Sequence, residues 1–247
     1  IGQRISFWCI AYNTSLVAPK DLPVEWDDLL TNPFWRDGRF AVSNTASGWL
    51  TSLYAEKGAA WAKDFVIRLF TEVKPQRRKE GREASVKLAA AGEMMGVAPS
   101  SDYRVRQVAD RGAPISLHCP SLVPTSAEWL GLFKGSPAQN SAKVFLNWFL
   151  SKEGQLAIHA ATGSTSAHKD LQRREFLNFP DEVLAPGKKL VYLGAVLLIL
   201  GLLVAGLTAE TSYLLYALVI IVALSGITVV QRMNVVRAAL ATTGRRA

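Results

Sequence analysis

"YNTSLVAPKDLPVEWDDLLTNPFWRDGRFAVSNTASGW", residues 12–49, decides how the chain is read. Its first two residues close "ISFWCIAYN" (residues 5–13), a stretch of β-formers that reads as a strand. Near its end, "GRFAVSN" (residues 38–44) reads as a second strand entering a turn. "ASGWLTSLYAEKG" then predicts a helix that starts near Ser47 and stops at Gly58.

The same alternation continues outward. "AAWAKDFVIRLFTEV" places Trp61, Phe65 and Leu69 at i, i+4 and i+8, an amphipathic helix. "SVKLAAAGEMMGVAP" reads as a helix ending at Gly92 and a short buried strand. "SAKVFLNWFLSKEGQLAIHAATG" puts Ala142, Phe145 and Phe149 on one helical face, and Ser151 caps a second helix ending near Gly163. Strands and helices in alternation favour an α/β fold over an all-α or all-β one. No internal repeat is visible.

The 247 residues carry a net charge of +8, and 49% are apolar, but both are spread unevenly. "LVYLGAVLLILGLLVAGL" (residues 190–207) and "SYLLYALVIIVALSGITVV" (residues 212–230) contain no charge. A helix of about 18 residues spans about 27 Å, enough for the hydrocarbon core of a bilayer. The pair is expected to form a transmembrane helical hairpin within residues 188–231, followed by a basic tail, 232–247; the alternative is a buried helical pair in a soluble core. Gly194, Gly201 and Ala205 share one helical face, and with Ser225 and Gly226 they would let partner helices approach closely. Membrane lipid and other membrane subunits are therefore the expected partners. Without ionisable groups other than tyrosine, the spans do not read as an ion pathway. Lys188, Lys189, Arg232, Arg237, Arg245 and Arg246 flank the hairpin and suit lipid headgroups. No basic stripe interleaved with aromatics and no zinc-type spacing appears, so nucleic acid is not an expected partner. The sequence opens at Ile1 with no signal peptide ahead of it, so either the N-terminus was processed or more chain precedes it.

Residues 12–49 resemble bacterial ABC-transporter solute-binding proteins, in the iron(III)/spermidine-like branch of the type II periplasmic binding fold. The resemblance rests on Tyr12-Asn13-Thr14, Pro23, Trp26-Asp27-Asp28-Leu29-Leu30, Pro33 and Trp35. Gly38 arrives one residue later than in the family's usual turn, after Asp37. The pattern resumes at "AAAGE" (residues 89–93), "GAPI" (112–115) and "GLFKGSPAQNSAKVFLNWFLSKEGQ" (131–155). It implies a solute-binding-protein-like α/β unit over residues 1–187. Within it, "FWCIAYN" is the outgoing hinge strand, 14–114 lobe two, 115–125 the returning hinge, and 126–180 helices rejoining lobe one. The opening half of lobe one has no counterpart here, so the apolar faces of the helices between Asn140 and Ala161 are expected to lack a covering sheet. Further N-terminal chain, another chain, or a different packing would each account for that.

The resemblance also points to a site. Ser43, Thr45, Ser47, Gly48 and Trp49 lie where a strand turns into a helix, and such a turn attracts anions through free N–H groups and the helix dipole. In the family this turn faces the interlobe cleft; the plainer reading is an N-cap by Ser47. Tyr12 and Asn13 would flank the cleft at the hinge, or simply pack there. Iron-binding members use paired tyrosines after the lobe-two strands. The matching "VAPSSDYRVRQ" has only Tyr103, so ferric-ion binding is not expected. Cys9 and Cys119 fall on the two hinge strands, which run side by side in that fold. They are either a disulfide or two buried thiols.

Other chemistry is thin. His118, His159 and His168 are far apart in sequence with no carboxylate at ligand spacing, and no P-loop or G-x-S-x-G elbow appears. The chain therefore reads as a non-enzyme without a cofactor. "KPQRRKEGRE" (residues 74–83) reads as a solvated loop and first helical turn, or as a grip on an acidic ligand. Two functions remain. The leading one is a worn-down binding-protein relative that braces a larger membrane complex. The other is a membrane-tethered binding protein that captures a small polar or anionic solute for an ABC permease. Location at the bacterial inner membrane follows in either case. The resemblance puts the soluble domain in the periplasm; the flanking positive charges argue for the cytoplasm.

Overall fold

The computed structural model describes residues 2–44, 47–132 and 137–192. Strand β1 (Gly2–Asn13) is followed by the single turn α1 (Asp28–Thr31), β2 (Phe40–Ser43), α2 (Ser47–Lys57) and α3 (Ala59–Arg68). Then come β3 (Gln76–Arg78), α4 (Arg82–Ala90), β4 (Gly96–Ser101), α5 (Asp102–Ala109), β5 (Ile115–His118) and β6 (Leu122–Trp129). Helices α6 (Gln139–Leu150) and α7 (Lys152–Thr162), strand β7 (Thr165–Ser166), the turn α8 (Pro180–Val183) and strand β8 (Lys189–Tyr192) complete the described chain.

The sheet runs β3-β2-β4-β1-β6-β8, and β1 is its spine. Strand β2 is parallel to β3 and β4, as helical crossovers require. Strand β1 lies antiparallel to everything it touches. Its C-terminal half pairs with β4 on one edge and β5 on the other. Its N-terminal half pairs with β7 and β6. One strand thus leaves one part of the sheet and enters the next, and β5 with β6 carries the chain back.

Both faces of this sheet are covered. Strand residues alternate, so Ile10, Phe40 and Val42 join Trp26, Trp35, Trp49, Leu53 and Phe65 on one side. Cys9, Ala11, Ala41 and Val97 join Val86, Ala89, Val105 and Val108 of α4 and α5 on the other. Two indoles satisfy their N–H as they bury: Trp26 donates to the Leu122 carbonyl at 2.8 Å and Trp35 to that of Asp21 at 2.9 Å. Gly96 is required by this packing, because a Cβ there would meet the Trp35 ring at 2.9 Å. The late glycine of the proline turn is also explained: Asp37 and Gly38 both take positive φ, 56° and 78°.

Three expectations need correction. Residues 126–129 are strand, the end of β6, and the helices that follow begin only at Gln139. Residues 190–192, expected to open the first span, instead belong to β8, paired parallel to β6 from Leu122↔Lys189 to Thr125↔Tyr192. The open edge of β6 needs hydrogen-bond partners, and Val191 enters the tryptophan-rich core beside Leu122. The ordered unit therefore continues past residue 187. The remainder of the first span, the second span and the tail lie outside the described residues. So do Gly194, Gly201, Ala205, Ser225 and Gly226. Among the described residues no helix is long and apolar enough to cross a membrane.

Helix α6 has no buried residue at all. Val144 is 71%, Phe145 53% and Trp148 49% exposed, which is the uncovered face anticipated for this segment. Cys9 and Cys119 form a disulfide with their Cα atoms 4.9 Å apart. It joins β1 to the residue immediately after β5, so these two strands are cross-linked as well as hydrogen-bonded.

Candidate functional site

The parallel strands β2 and β4 end at one ledge, and α2 and α5 start from it. Register fixes what stands beside that ledge. Trp8, in the middle of β1, is opposite Ser101, the last residue of β4. Tyr12 is opposite Gly96, the first. At about 3.3 Å per residue, Tyr12 lies roughly 13 Å from the level of Trp8.

Around Trp8 the chain gathers arginines and a tyrosine. Arg82, the first residue of α4, holds its guanidinium Cζ 4.2 Å from the Trp8 ring centroid. Tyr103, in the first turn of α5, is nearly buried. Arg4 Cζ lies 5.1 Å and Arg104 Cζ 5.3 Å from the centre of its ring. Arg104 Nε also donates to the Tyr103 hydroxyl at 2.9 Å. The Trp8 indole donates to the Ser126 hydroxyl at 2.9 Å, which locks the ring in place.

The charges are unequally matched. Arg4 pairs with Glu128 at 2.5 Å. Burial works against the charge on Arg4, but the hydrogen bond and attraction of Glu128 outweigh it and hold its pKa above the ordinary value. Arg104 has a looser contact with Glu83, at 3.8 Å. Arg82 makes no ion pair among the described residues. Burial, then repulsion from Arg104, lowers its pKa, and Arg4 adds to that repulsion. Arg4 Nε is buried without a hydrogen-bond partner among the described residues.

Just beneath lies Asp102, fully buried at the start of α5. It accepts from the Phe7 N–H at 3.2 Å, the Thr165 hydroxyl at 3.2 Å and the Asn178 amide at 2.9 Å. Burial nevertheless pushes its pKa up to about 6.

The residues expected to form the site are not all brought together. Ser43 is buried at the end of β2, level with Arg78 of β3. Ser47 begins α2, and the Gly48 carbonyl accepts from the Ser52 hydroxyl at 2.9 Å. Thr45 lies outside the described residues. Trp49 is core: fully buried, 5.0 Å from Trp26 and 6.2 Å from Phe65 between centroids. Asn13 spends its amide on the carbonyls of Ala89 and Ala90 at 2.9 and 3.1 Å, closing the end of α4. Tyr12 packs edge-on against His118, centroids 6.5 Å apart. Both stand at the far end of β4, because Tyr12 lies four positions along the strand from Trp8. Among the described residues no three His, Cys, Asp or Glu side chains gather to hold a metal.

Trp8, Arg104 and Arg4 were not singled out from sequence; Arg82 entered only as part of the basic run 74–83, read as a solvated loop or a grip on an acidic ligand, and Tyr103 was noted only for lacking a second tyrosine. A signal was present. Arg82 and Arg104 fall in first helical turns, where the macrodipole disfavours cations. Recognising it required knowing where α4 and α5 begin.

The comparisons agree with this architecture. A family model described as bacterial extracellular solute-binding protein matches residues 5–183. A search of the curated proteins finds no match. Iron-bound HitA from Pseudomonas aeruginosa superposes with a TM-score of 0.57 at 24% identity, over 68% of this chain and 56% of that one. The periplasmic binding protein AfuA from Actinobacillus pleuropneumoniae, with fructose-6-phosphate bound, gives 0.53 at 22% identity, over 68% and 54%. The ferric binding protein from Campylobacter jejuni gives 0.52 at 17%, over 69% and 58%. At these identities the likeness speaks to fold alone, and this chain spans under two thirds of each structure's length. With the family model covering most of the sequence, and the doubly covered sheet spanned by its long strand, the chain belongs to the bacterial extracellular solute-binding proteins.

Proposed function

We propose that the protein is a membrane-tethered solute-binding component of an ABC transporter, capturing a small polar or anionic solute in the periplasm and presenting it to a permease. The observation that carries this reading is the paired crossover. Strand β1 and its return through β5 and β6 form a two-strand hinge, and the polar ledge of β2 and β4 opens beside it. Ser43, Thr45, Ser47 and Gly48 belong to that ledge in this reading, with residues 14–114 as lobe two. The protein acts by binding, without catalysis or cofactor. The two uncharged runs anchor it in the inner membrane.

A second reading keeps the bracing subunit, with Gly194, Gly201, Ala205, Ser225 and Gly226 meeting partner helices. The bare apolar face of α6 supports it. Family membership weighs toward the first. Thermal melts of the full chain against pooled sugars, polyamines and small anions test it. A ligand at a hundred times its dissociation constant adds about 2.7 kcal/mol of stability. Ser47→Trp is expected to abolish that gain, and a chain unmoved by every pool counts against solute capture.

A further inference from the structure

The guanidinium cluster narrows the kind of solute. We infer that Arg82, Arg104 and Arg4, set around Trp8 and Tyr103, form the subsite for an oxyanionic group, a phosphate or carboxylate carried by a small solute. The inference rests on the solute-binding reading and specifies its chemistry.

Three features point the same way. First, the cluster carries excess positive charge. Arg4 is paired, Arg104 only loosely so, and Arg82 makes no ion pair among the described residues. Like charges held together in a half-buried place repel, and a bound anion removes that repulsion. Second, the arginines are immobilised. Arg82 Cζ sits 4.2 Å from the centre of the Trp8 ring and Arg104 is hydrogen-bonded to the Tyr103 hydroxyl. Stacked, oriented guanidinium groups present their N–H forks to planar or tetrahedral oxyanions, so little rotamer freedom is lost on binding. Third, Arg82 and Arg104 stand in the first turns of α4 and α5. The partial positive charge of a helix start adds to theirs, which is unfavourable in the empty protein and favourable around an anion.

The cluster also excludes alternatives by charge. A polyamine or bare metal cation would meet three guanidinium groups. A neutral sugar would leave their charge unmet.

The test uses the full chain in neutral detergent, with inorganic phosphate, glycerol 3-phosphate and citrate as probes, and glucose and spermidine beside them. Thermal shift and titration calorimetry give the dissociation constants. At least one anion is expected to stabilise the protein, and Arg82→Gln and Arg104→Gln to weaken it about tenfold or more each. Arg111→Gln, an exposed charge beyond the end of α5, is the control and should change the affinity little. Circular dichroism melts of the empty variants confirm that they fold. The inference is overturned if no anion binds, or if anion binding survives both cleft substitutions. It is also overturned if phosphatidylglycerol vesicles displace the anion, which would make the site one for lipid headgroups. Stabilisation by glucose or spermidine that persists in Arg82→Gln would overturn the anion subsite while leaving solute capture intact.

Discussion

The Asp102 carboxylate and the Asn178 amide meet at 2.9 Å across 76 residues of chain. The same carboxylate holds the Phe7 N–H of β1 and the Thr165 hydroxyl of β7. A single buried acid thus ties the start of α5 to the hinge and to the segment that follows it.

That acid makes stability depend on pH in an unusual direction. Its pKa rises from 3.8 to about 6 on folding, so between those values the folded state binds more protons than the unfolded one. Its contribution is fully present below the unfolded value and is lost as pH climbs through about 6. The loss is about 3 kcal/mol, to order of magnitude. Urea titrations from pH 3.5 to 7.5 read it as the difference between wild type and Asp102→Asn. That difference should move against the wild type as pH rises. A flat difference would mean that the three donors fully compensate burial.

Reduction of the Cys9–Cys119 bond should cost stability without abolishing the fold. The closed loop has a sequence separation of 110, and releasing a loop of that length gives the unfolded chain entropy worth about 5 kcal/mol. The Cys9→Ala, Cys119→Ala double variant should melt lower than the oxidised protein and ignore dithiothreitol. Equal melting of oxidised and reduced protein would mean that strand pairing alone sets the hinge.

Trp49 belongs to the core, and its indole N–H has no hydrogen-bond partner among the described residues. Trp49→Phe therefore discards a polar group that is already unsatisfied and should change stability by about 1 kcal/mol or less. Trp49→Ala leaves a cavity beside Trp26 and should cost about 3–5 kcal/mol. Solute affinity should be unchanged in Trp49→Phe; a loss would return this residue to the site.

The membrane anchor is tested by extraction. The protein should resist carbonate and high-salt washes, and Ile199→Arg should lower membrane retention, since a charge at mid-span costs a few kcal/mol of insertion energy. Gly201→Leu and Gly226→Leu ask whether partner helices matter as well. Release from a co-purifying complex favours bracing, and silence favours a simple tether.

Much of the fold could be read from the sequence because period and punctuation are local. The i, i+4 spacing of Trp61 and Phe65 predicts a helix, and the Ser151 hydroxyl accepts from the Gly154 N–H as the cap drawn from sequence. Pairings across long separations could not be read that way. Nothing near residue 190 announces that Val191 will lie beside Leu122, because a short apolar run suits a sheet edge as well as a bilayer. The arginine cluster was hard to read for a related reason. Tyr12 and Trp8 are both aromatic and share a face of β1, and only the register with β4 shows which one stands at the ledge. The arginines come from three separate elements and look like ordinary solvated charge until folding collects them.

Strand β8 has a mechanical consequence. At Tyr192 the chain is still in register with Thr125, within the same sheet that carries the hinge. The described chain therefore ends on a strand of that sheet rather than on a separate linker. If the chain beyond it enters a bilayer, as proposed, the ledge is held close to that membrane. In the proposed transporter, a permease in the same membrane would then meet the tethered protein by lateral diffusion, at a high effective concentration. Affinity between the two need not be high, because geometry has already replaced the three-dimensional search.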